Sequence, residues 1–536
     1  MAAPSLASSI QPRSPQGEFV NQPPVDFKAA ENSQKMQAAL DLVAGQLGRE
    51  YSLIIAGQRL TTEEKIRSVN PARPAQLVGL HQKSGAGHAE AAMTAALSAF
   101  DSWSRTSTEE RVSLLLNAAQ IIRNRHFEFC AWLVYEVGKN WAEADADVGE
   151  TLDFLEFYAR EALRLAAAKP PIQFPGERNE LIYIPLGVGA VIPPWNFPLA
   201  IMAGMTAASI VTGNTVILKP SSDAPTIAAK FVEVLEEAGM PAGVVNFCPG
   251  SGATFGNALV EHPRTRFVAF TGSKSVGLEI HQRAALPQPG QIWIKRTILE
   301  MGGKDSILVS ADADLDQAVA GVVASAFGFS GQKCSACSRA IVEAPVYDAF
   351  VERLLAKVAQ LTLRDPATNP NLGPVINEGA LRSMLAAIET GKREGRLIAG
   401  GGTPQTEAGG FFLEPTIFSE IAPHAVLAQQ EIFGPILALI KVADFEEGLR
   451  VANNTEYGLT GSLYSQDRDK LDRARREFHV GNLYFNRKCT GAMVGAHPFG
   501  GFNLSGTDSK AGGPDYLLLF TQAKSVAETL RPTAVR

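Results

Sequence analysis

The sequence predicts an α/β fold in two parallel-sheet domains, and three observations point there. Strand-like apolar runs alternate with helix-length amphipathic segments from Leu181 onwards. A second series of the same kind begins after Glu300. At 536 residues the chain exceeds one ordinary core, so two or three sub-domains are expected. Apolar residues make up 46% and charged residues 19%, with Gly and Pro scattered, which is a globular and not a disordered composition.

Residues 1 to about 34 are rich in Pro, Ser, Gln and Asn and bury too little apolar surface to offset ordering entropy; an extended arm is expected, assigned to 1–50. YSLIIAGQRL (51–60) reads as a strand pair. Helical apolar spacing then dominates from Ala89 to Ala168, with Trp103, Leu114, Ala118 and Ile122 on the stripe. LIYIPLGVGAVIPP (181–194) is β-rich and is followed by a helix-length segment and the apolar run GNTVILKP (213–220). The helix APTIAAKFVEVLEEAG (224–239), the strand VVNFCPG (244–250) and the strand RFVAFTGS (266–273) repeat that unit. This is the layout of a Rossmann-like dinucleotide-binding domain, assigned to 51–170 and 190–299. DSILVS (305–310), the helix ADLDQAVAGVVASAF (313–327), and the later segments FFLEPTIF, AVLAQQEIFGP and LALIKV form a second α/β domain, 300–504. The tail YLLLFTQAKSVAETL (516–530) is apolar and β-capable, and an exposed strand of that kind invites another chain. Segments 171–189 and 505–536 are therefore assigned to a small β oligomerisation flap, with a homodimer or higher homo-oligomer expected.

The formal charge of -6, with basic and acidic residues interleaved, provides no field for a phosphate backbone, so no nucleic-acid partner is expected. Five cysteines (Cys130, Cys248, Cys334, Cys337, Cys489) are few and odd in number, which fits a reducing compartment. The opening MAAPSLASSIQPRSPQGEF lacks a basic region followed by an apolar run, and no segment approaches the roughly 18 apolar residues of a membrane span. The expectation is a cytoplasmic protein without a membrane partner.

The chemistry is concentrated in FGFSGQKCSACSR (327–339), where Gly and Ser surround Cys334 at a helix-to-loop junction. An isolated free cysteine is usually a small buried hydrophobe. Here it is joined by PPWNFP (193–198), ILEMGGKD (298–305) and QQEIFGP (429–435), with Glu300 ahead of Cys334 by 34 residues and Glu431 behind it by 97. Together these motifs resemble the aldehyde dehydrogenase superfamily over nearly the whole chain after residue 50. The resemblance implies the aldehyde dehydrogenase fold, with Cys334 as nucleophile, Asn196 as an oxyanion donor beside the Cys334 N–H, and Glu300 as the base that activates water for thioester hydrolysis. Cys337, three residues after Cys334, has the spacing of a metal pair, but no second Cys/His pair stands at zinc-site spacing, and no metal is expected.

FTGSKSVG (270–277) follows a strand and opens a helix, so Gly272 and Ser273 can approach a pyrophosphate, although the GxGxxG spacing is missing. By the same resemblance Lys219 reaches the adenosine ribose, Trp195 lies beside the cofactor, Glu431 holds the nicotinamide ribose and Phe433 packs nearby. Ser222 stands where many NAD-using members carry Glu, so NAD is expected with NADP tolerated.

SGQKCSACSR and FNRKCTGAMVGAHPFGGFNLSGTDSKAGGPDY (485–516) closely resemble the 1-pyrroline-5-carboxylate (glutamate semialdehyde) dehydrogenases. That likeness implies that the Ser335 hydroxyl and the backbone of Gly491 and Ala492 hold an α-carboxylate, with Phe499 alongside. A Gly-containing turn can form such an anion nest without a fixed positive charge. The implied activity is oxidation of the small-molecule aldehyde L-glutamate γ-semialdehyde to L-glutamate in proline degradation. A dehydrogenase for another semialdehyde, such as succinate semialdehyde, is the alternative. A non-oxidative thioester-forming hydrolase and a non-catalytic binding protein are the readings from other classes.

Overall fold

Residues 17–167, 171–404 and 408–530 are described by the computed structural model. Two seven-stranded sheets organise them. Across the first, the strands run in the order Arg296–Glu300, Thr265–Thr271, Val188–Ile192, Thr215–Leu218, Val245–Phe247, Leu53–Ile55, Gln58–Leu60. The first five are mutually parallel, and the strand pair from YSLIIAGQRL closes one edge antiparallel. Val188–Ile192 and Thr215–Leu218 are buried at every position, as their continuous apolar runs require when helices cover both faces. The second sheet runs Arg396–Ala399, Thr416–Ser419, Ile436–Val442, Arg339–Glu343, Ser306–Val309, Thr460–Tyr464, Asn482–Phe485, parallel throughout except at the first strand.

The helices start where local chemistry dictates. Ser107 caps Thr108–Asn124 by accepting the Glu110 N–H, and the Glu110 carboxylate returns a bond to the Ser107 N–H, which satisfies two orphan donors. Asn140 caps the long helix Trp141–Ala166, and Pro225 occupies the first turn of Pro225–Glu237, where its missing N–H costs nothing. Of the expected stripe, Trp103, Ala118 and Ile122 are buried and Leu114 is half-buried.

One buried ion pair ties the long helix to the segment that follows strand Val188–Ile192. Lys139 Nζ donates to Asp147 Oδ2 at 2.8 Å, Ala200 N donates to Asp147 Oδ1 at 2.8 Å, and both charged side chains are fully excluded from solvent. The Lys139 ammonium also lies 3.8 Å from the centre of the Phe197 ring, within the PPWNFP segment.

Two expectations are corrected. The arm is irregular over residues 17–29, but Ala30–Ala44 is a helix, because Met36, Ala39, Leu40 and Val43 recur at helical spacing and are all buried. Within AVLAQQEIFGP, Val426–Gln429 is a single helical turn and the rest is loop. Within the tail, Tyr516–Phe520 forms a 3-10 turn, and the strand Thr521–Thr529 pairs antiparallel with Glu177–Pro185 of the same chain. Arg296 anchors this ribbon by donating to the carbonyls of Leu518, Leu519 and Thr521, and Asn214 donates to Phe520 O. Residues 1–16 of the arm, the end of the first helical region at Ala168, and 531–536 of the flap lie outside the described residues. Among the described residues no helix is long and apolar enough to cross a membrane.

Candidate active site

The loop carrying Cys334 is held by its own backbone. Helix Leu315–Phe327 ends at Gly328, and Phe329, Ser330 and Gly331 follow with φ of 52°, 53° and 68°. Two non-Gly residues in this left-handed region cost of order 1–3 kcal/mol each, and the surroundings must hold them there. Gln332 does so: its side chain donates to Phe329 O and Pro374 O, both at 3.2 Å, and accepts from Ile376 N at 2.8 Å. A Cβ on Gly331 would lie 2.2 Å from Gly434 O, so this position admits only glycine.

Cys334 opens into a cavity of about 710 Å³ walled by the first sheet and by loops of the second domain. Trp195, Asn196, Lys219, Ser222, Gly272, Ser273, Glu431 and Phe433 all line it, so every residue singled out for the cofactor is brought together with the nucleophile. The Trp195 and Phe433 rings meet edge-on at 5.5 Å, with Phe433 at a φ of 60°. Asn196 is buried and donates through Nδ2 to Gln332 O at 3.1 Å, two residues before Cys334. Ser273 caps helix Lys274–Ala285 and faces the cavity at the positive end of that helix. Burial lowers the Lys219 ammonium to about 8, and it donates to Pro220 O at 3.1 Å. Glu431 is raised to about 7 by burial, against the bond its Oε1 accepts from Gly303 N at 3.1 Å.

Glu300 ends strand Arg296–Glu300 and is buried. Its Oε1 accepts from the Ser509 hydroxyl and its Oε2 from Gly501 N at 3.3 Å. Burial raises it to about 7, and those two donors oppose the rise. Burial also pushes the Cys334 thiol well above its ordinary range, reinforced by the carboxylates of Asp305, Glu431 and Glu300. Both effects favour the neutral thiol of Cys334, and the Glu300 carboxyl, itself raised to about 7, lies in its field.

The four substrate residues lie outside that cavity's lining. Ser335 is buried, and its carbonyl accepts from the Cys489 thiol at 3.4 Å, which sets the 489–492 segment against the residue after the nucleophile. Gly491 is exposed with a φ of 77°, and Arg487 Nη2 donates to both Thr490 O and Gly491 O at 3.0 Å. Among the described residues neither the Gly491 nor the Ala492 N–H has a protein acceptor. Phe499 is fixed by reciprocal backbone bonds with Ala511 at 2.8 and 2.7 Å. The Lys488 ammonium lies 3.4 Å from where a Gly491 Cβ would stand, so a fixed charge stands near this turn.

Sequence reasoning missed several groups here. Asp223 lines the cavity beside Ser222, its Oδ1 accepting from Asn377 Nδ2 at 3.1 Å. Lys333, inside GQKC, is paired with Glu143 at 2.8 Å. The motif marked Lys333, whereas Glu143 sits on a helix 190 residues away with no local signal. A further cluster, His126, Cys130 and Asp145, carries metal-capable side chains, but His126 Nε2 and Asp145 Oδ1 bond to each other at 2.6 Å, outside this cavity.

A cysteine on a strained loop, facing a cavity in a dinucleotide-type sheet and backed by a buried carboxylate, defines the class: the chain belongs to the aldehyde dehydrogenase family, whose model matches residues 59–526. It is 57% identical over 511 residues to the 1-pyrroline-5-carboxylate dehydrogenase of Geobacillus thermodenitrificans, covering 95% of this chain and 99% of that protein. Among solved structures, a Thermus 1-pyrroline-5-carboxylate dehydrogenase with bound NAD is 51% identical with a TM-score of 0.94, covering 96% of this chain and 99% of that one. Proline utilization A from Bdellovibrio bacteriovorus is 44% identical with a TM-score of 0.94, over 96% of this chain and 53% of that longer one.

Proposed function

We propose that the protein oxidises L-glutamate γ-semialdehyde, the open form of 1-pyrroline-5-carboxylate, to L-glutamate with reduction of NAD, the second step of proline degradation. The observation that carries this reading is the Cys489 to Ser335 contact, which sets two unengaged N–H donors, Gly491 and Ala492, close to the nucleophile. The neighbouring Lys488 charge favours an anionic group there. A carboxylate anchored at that turn places the far end of a five-carbon aldehyde at Cys334, whereas shorter aldehydes would bind without lining up.

The cavity suits a dinucleotide. Lys219, buried in its wall, gives one N–H to Pro220 O and has two left for a ligand. Ser273 and the helix it caps would hold the pyrophosphate, Lys219 and Ser222 the adenosine ribose, and Glu431 the nicotinamide ribose, with Gly272, Trp195 and Phe433 as walls. Bound NAD supplies the hydride acceptor. The Cys334 thiol releases its proton to solvent as Sγ adds to the aldehyde carbon, and the resulting alkoxide is held by Asn196 Nδ2 and the Cys334 N–H. After oxidation the acyl group remains on Cys334 as a thioester, and Glu300 takes a proton from the water that hydrolyses it. Asp223, next to Ser222, disfavours a 2′-phosphate, so NAD is preferred and NADP tolerated.

This reading keeps 51–170 with 190–299 as the cofactor domain and 300–504 as the catalytic domain. The flap of 171–189 and 505–536 mediates a homodimer or higher assembly, supported by exposed Ile172, Phe174, Leu181 and Ile182, and light scattering that finds a monomer would refute it. The five free cysteines support a cytoplasmic location.

The test is NAD and NADP reduction with glutamate semialdehyde, succinate semialdehyde and propanal, with Cys334→Ala as control. Selectivity for glutamate semialdehyde that vanishes in the control supports the assignment. Equal rates on all three aldehydes would refute the carboxylate anchor, and an absence of cofactor reduction would refute the oxidation chemistry.

A further inference from the structure

Residues 17–29 run along helix Trp141–Ala166 and reach the loop that carries Gly491 and Ala492. Asn21 makes the junction: its Nδ2 donates to Asp153 Oδ2 at 2.8 Å and to Val494 O at 2.9 Å. Gln22 N donates to the other oxygen of Asp153 at 2.7 Å, and Val25 N to Asp145 Oδ2 at 2.9 Å, so buried carboxylates on the helix fix the arm by its backbone. Phe19 packs edge-on against Phe157 at 5.2 Å. A Cβ on Gly495 would lie 3.2 Å from each of those two rings, so the loop rests on a surface of which the arm is half.

That loop has neither helix nor strand over residues 486–498 and owes its shape to individual ties. Arg487 holds the carbonyls of Thr490 and Gly491, and Gly495 N donates to Gly512 O at 2.8 Å. Between them stands the Asn21 bond to Val494, a residue 4% exposed. Among the described residues Asn21 supplies the donor that Val494 O receives. Without it a buried carbonyl goes unpaired, at a cost of about 1–3 kcal/mol that a loop two residues from the anchor can relieve by turning.

We propose that the N-terminal arm is a specificity element of the enzyme, in which Asn21 is a positioning residue that holds Val494 and so sets the turn presenting the Gly491 and Ala492 N–H groups to the substrate's α-carboxylate. The inference rests on the anchor reading given above. It separates two classes of substrate: aldehydes bearing an α-carboxylate depend on the arm, and plain alkyl aldehydes do not.

The experiment uses full-length Asn21→Ala and Asn21→Gln, with KM and kcat measured for glutamate semialdehyde, propanal and NAD, and Ser335→Ala in parallel. In Asn21→Ala the KM for glutamate semialdehyde rises about tenfold, as loss of one buried hydrogen bond implies. Propanal turnover and the KM for NAD stay at their wild-type values. Asn21→Gln, which keeps the donor on a longer stem, falls between. Equal losses on both aldehydes would make Asn21 merely structural and overturn the inference. So would an unchanged KM in both Asn21 variants while Ser335→Ala raises it. If Ser335→Ala leaves the KM unchanged as well, the anchor reading itself fails and this inference goes with it.

Discussion

Glu300→Gln tests chemistry and energetics in one variant. Burial raises this carboxyl from 4.5 to about 7, so the folded protein holds the extra proton through a window in which the unfolded chain has already lost it. Stability conferred by the neutral acid is present below 4.5, declines as pH rises, and is gone above about 7. A displacement of that size corresponds to about 3 kcal/mol at pH 8. Glutamine retains an acceptor for the Ser509 hydroxyl or the Gly501 N–H without the buried charge. Denaturant unfolding at pH 8 should therefore find the variant more stable by up to about 3 kcal/mol, with no difference near pH 4. The same change removes the base. Rapid mixing with NAD and aldehyde should give one equivalent of NADH per site followed by little turnover. In the wild type, deacylation should rise about tenfold between pH 6 and pH 8, as the carboxyl passes from roughly one-tenth to nine-tenths ionised. Equal stability of the two proteins at pH 8, or undiminished multiple turnover by the variant, would refute the reasoning.

Other outcomes follow from the same geometry. Asn196→Ala should slow acylation roughly 100- to 1000-fold in the NADH burst, the usual effect of losing an oxyanion donor. Asp223→Asn should raise kcat/KM with NADP by about tenfold while changing that with NAD little, because a carboxylate facing the 2′-phosphate is removed. Lys139→Met strands the Asp147 charge in a fully buried position and should cost about 3–5 kcal/mol in unfolding experiments, where a surface lysine change would cost almost nothing.

The first sheet was legible because its inner strands are continuous apolar runs punctuated by turn residues, and the cofactor residues because they cluster in short motifs. Cys334, Glu300 and Asn196 stand out in the sequence for the same reason, and Cys334 and Asn196 line one cavity. Asp223 carries no motif signal of its own, one residue after Ser222, yet the cavity admits both. Glu143 and Ser509 escaped because their roles arise from contacts 190 and 209 residues away, which no local pattern encodes. The helix Ala30–Ala44 was hidden behind the polar composition of the residues before it, although its apolar spacing is plain once the window is shortened. The apolar residues of AVLAQQEIFGP pack a helical turn and loop that Glu394 fixes by accepting from Val426 N and Leu427 N, contacts 32 and 33 residues away that no local pattern encodes.

The ribbon of Glu177–Pro185 with Thr521–Thr529 has a consequence for biosynthesis. Its first strand leaves the ribosome more than three hundred residues before its partner, an interval of about 20 to 70 seconds at ordinary rates of elongation. Throughout that time nine residues of ladder edge, joined once it is made by the Arg296 guanidinium that will grip the tail, face the cell with nothing to bind. The nucleotide half of the molecule can form early, but its brace follows more than three hundred residues later. Nascent chains on one message would then be close enough to pair with each other's open edges before they pair with themselves, so the yield of native protein should depend on how quickly Thr521–Thr529 is delivered.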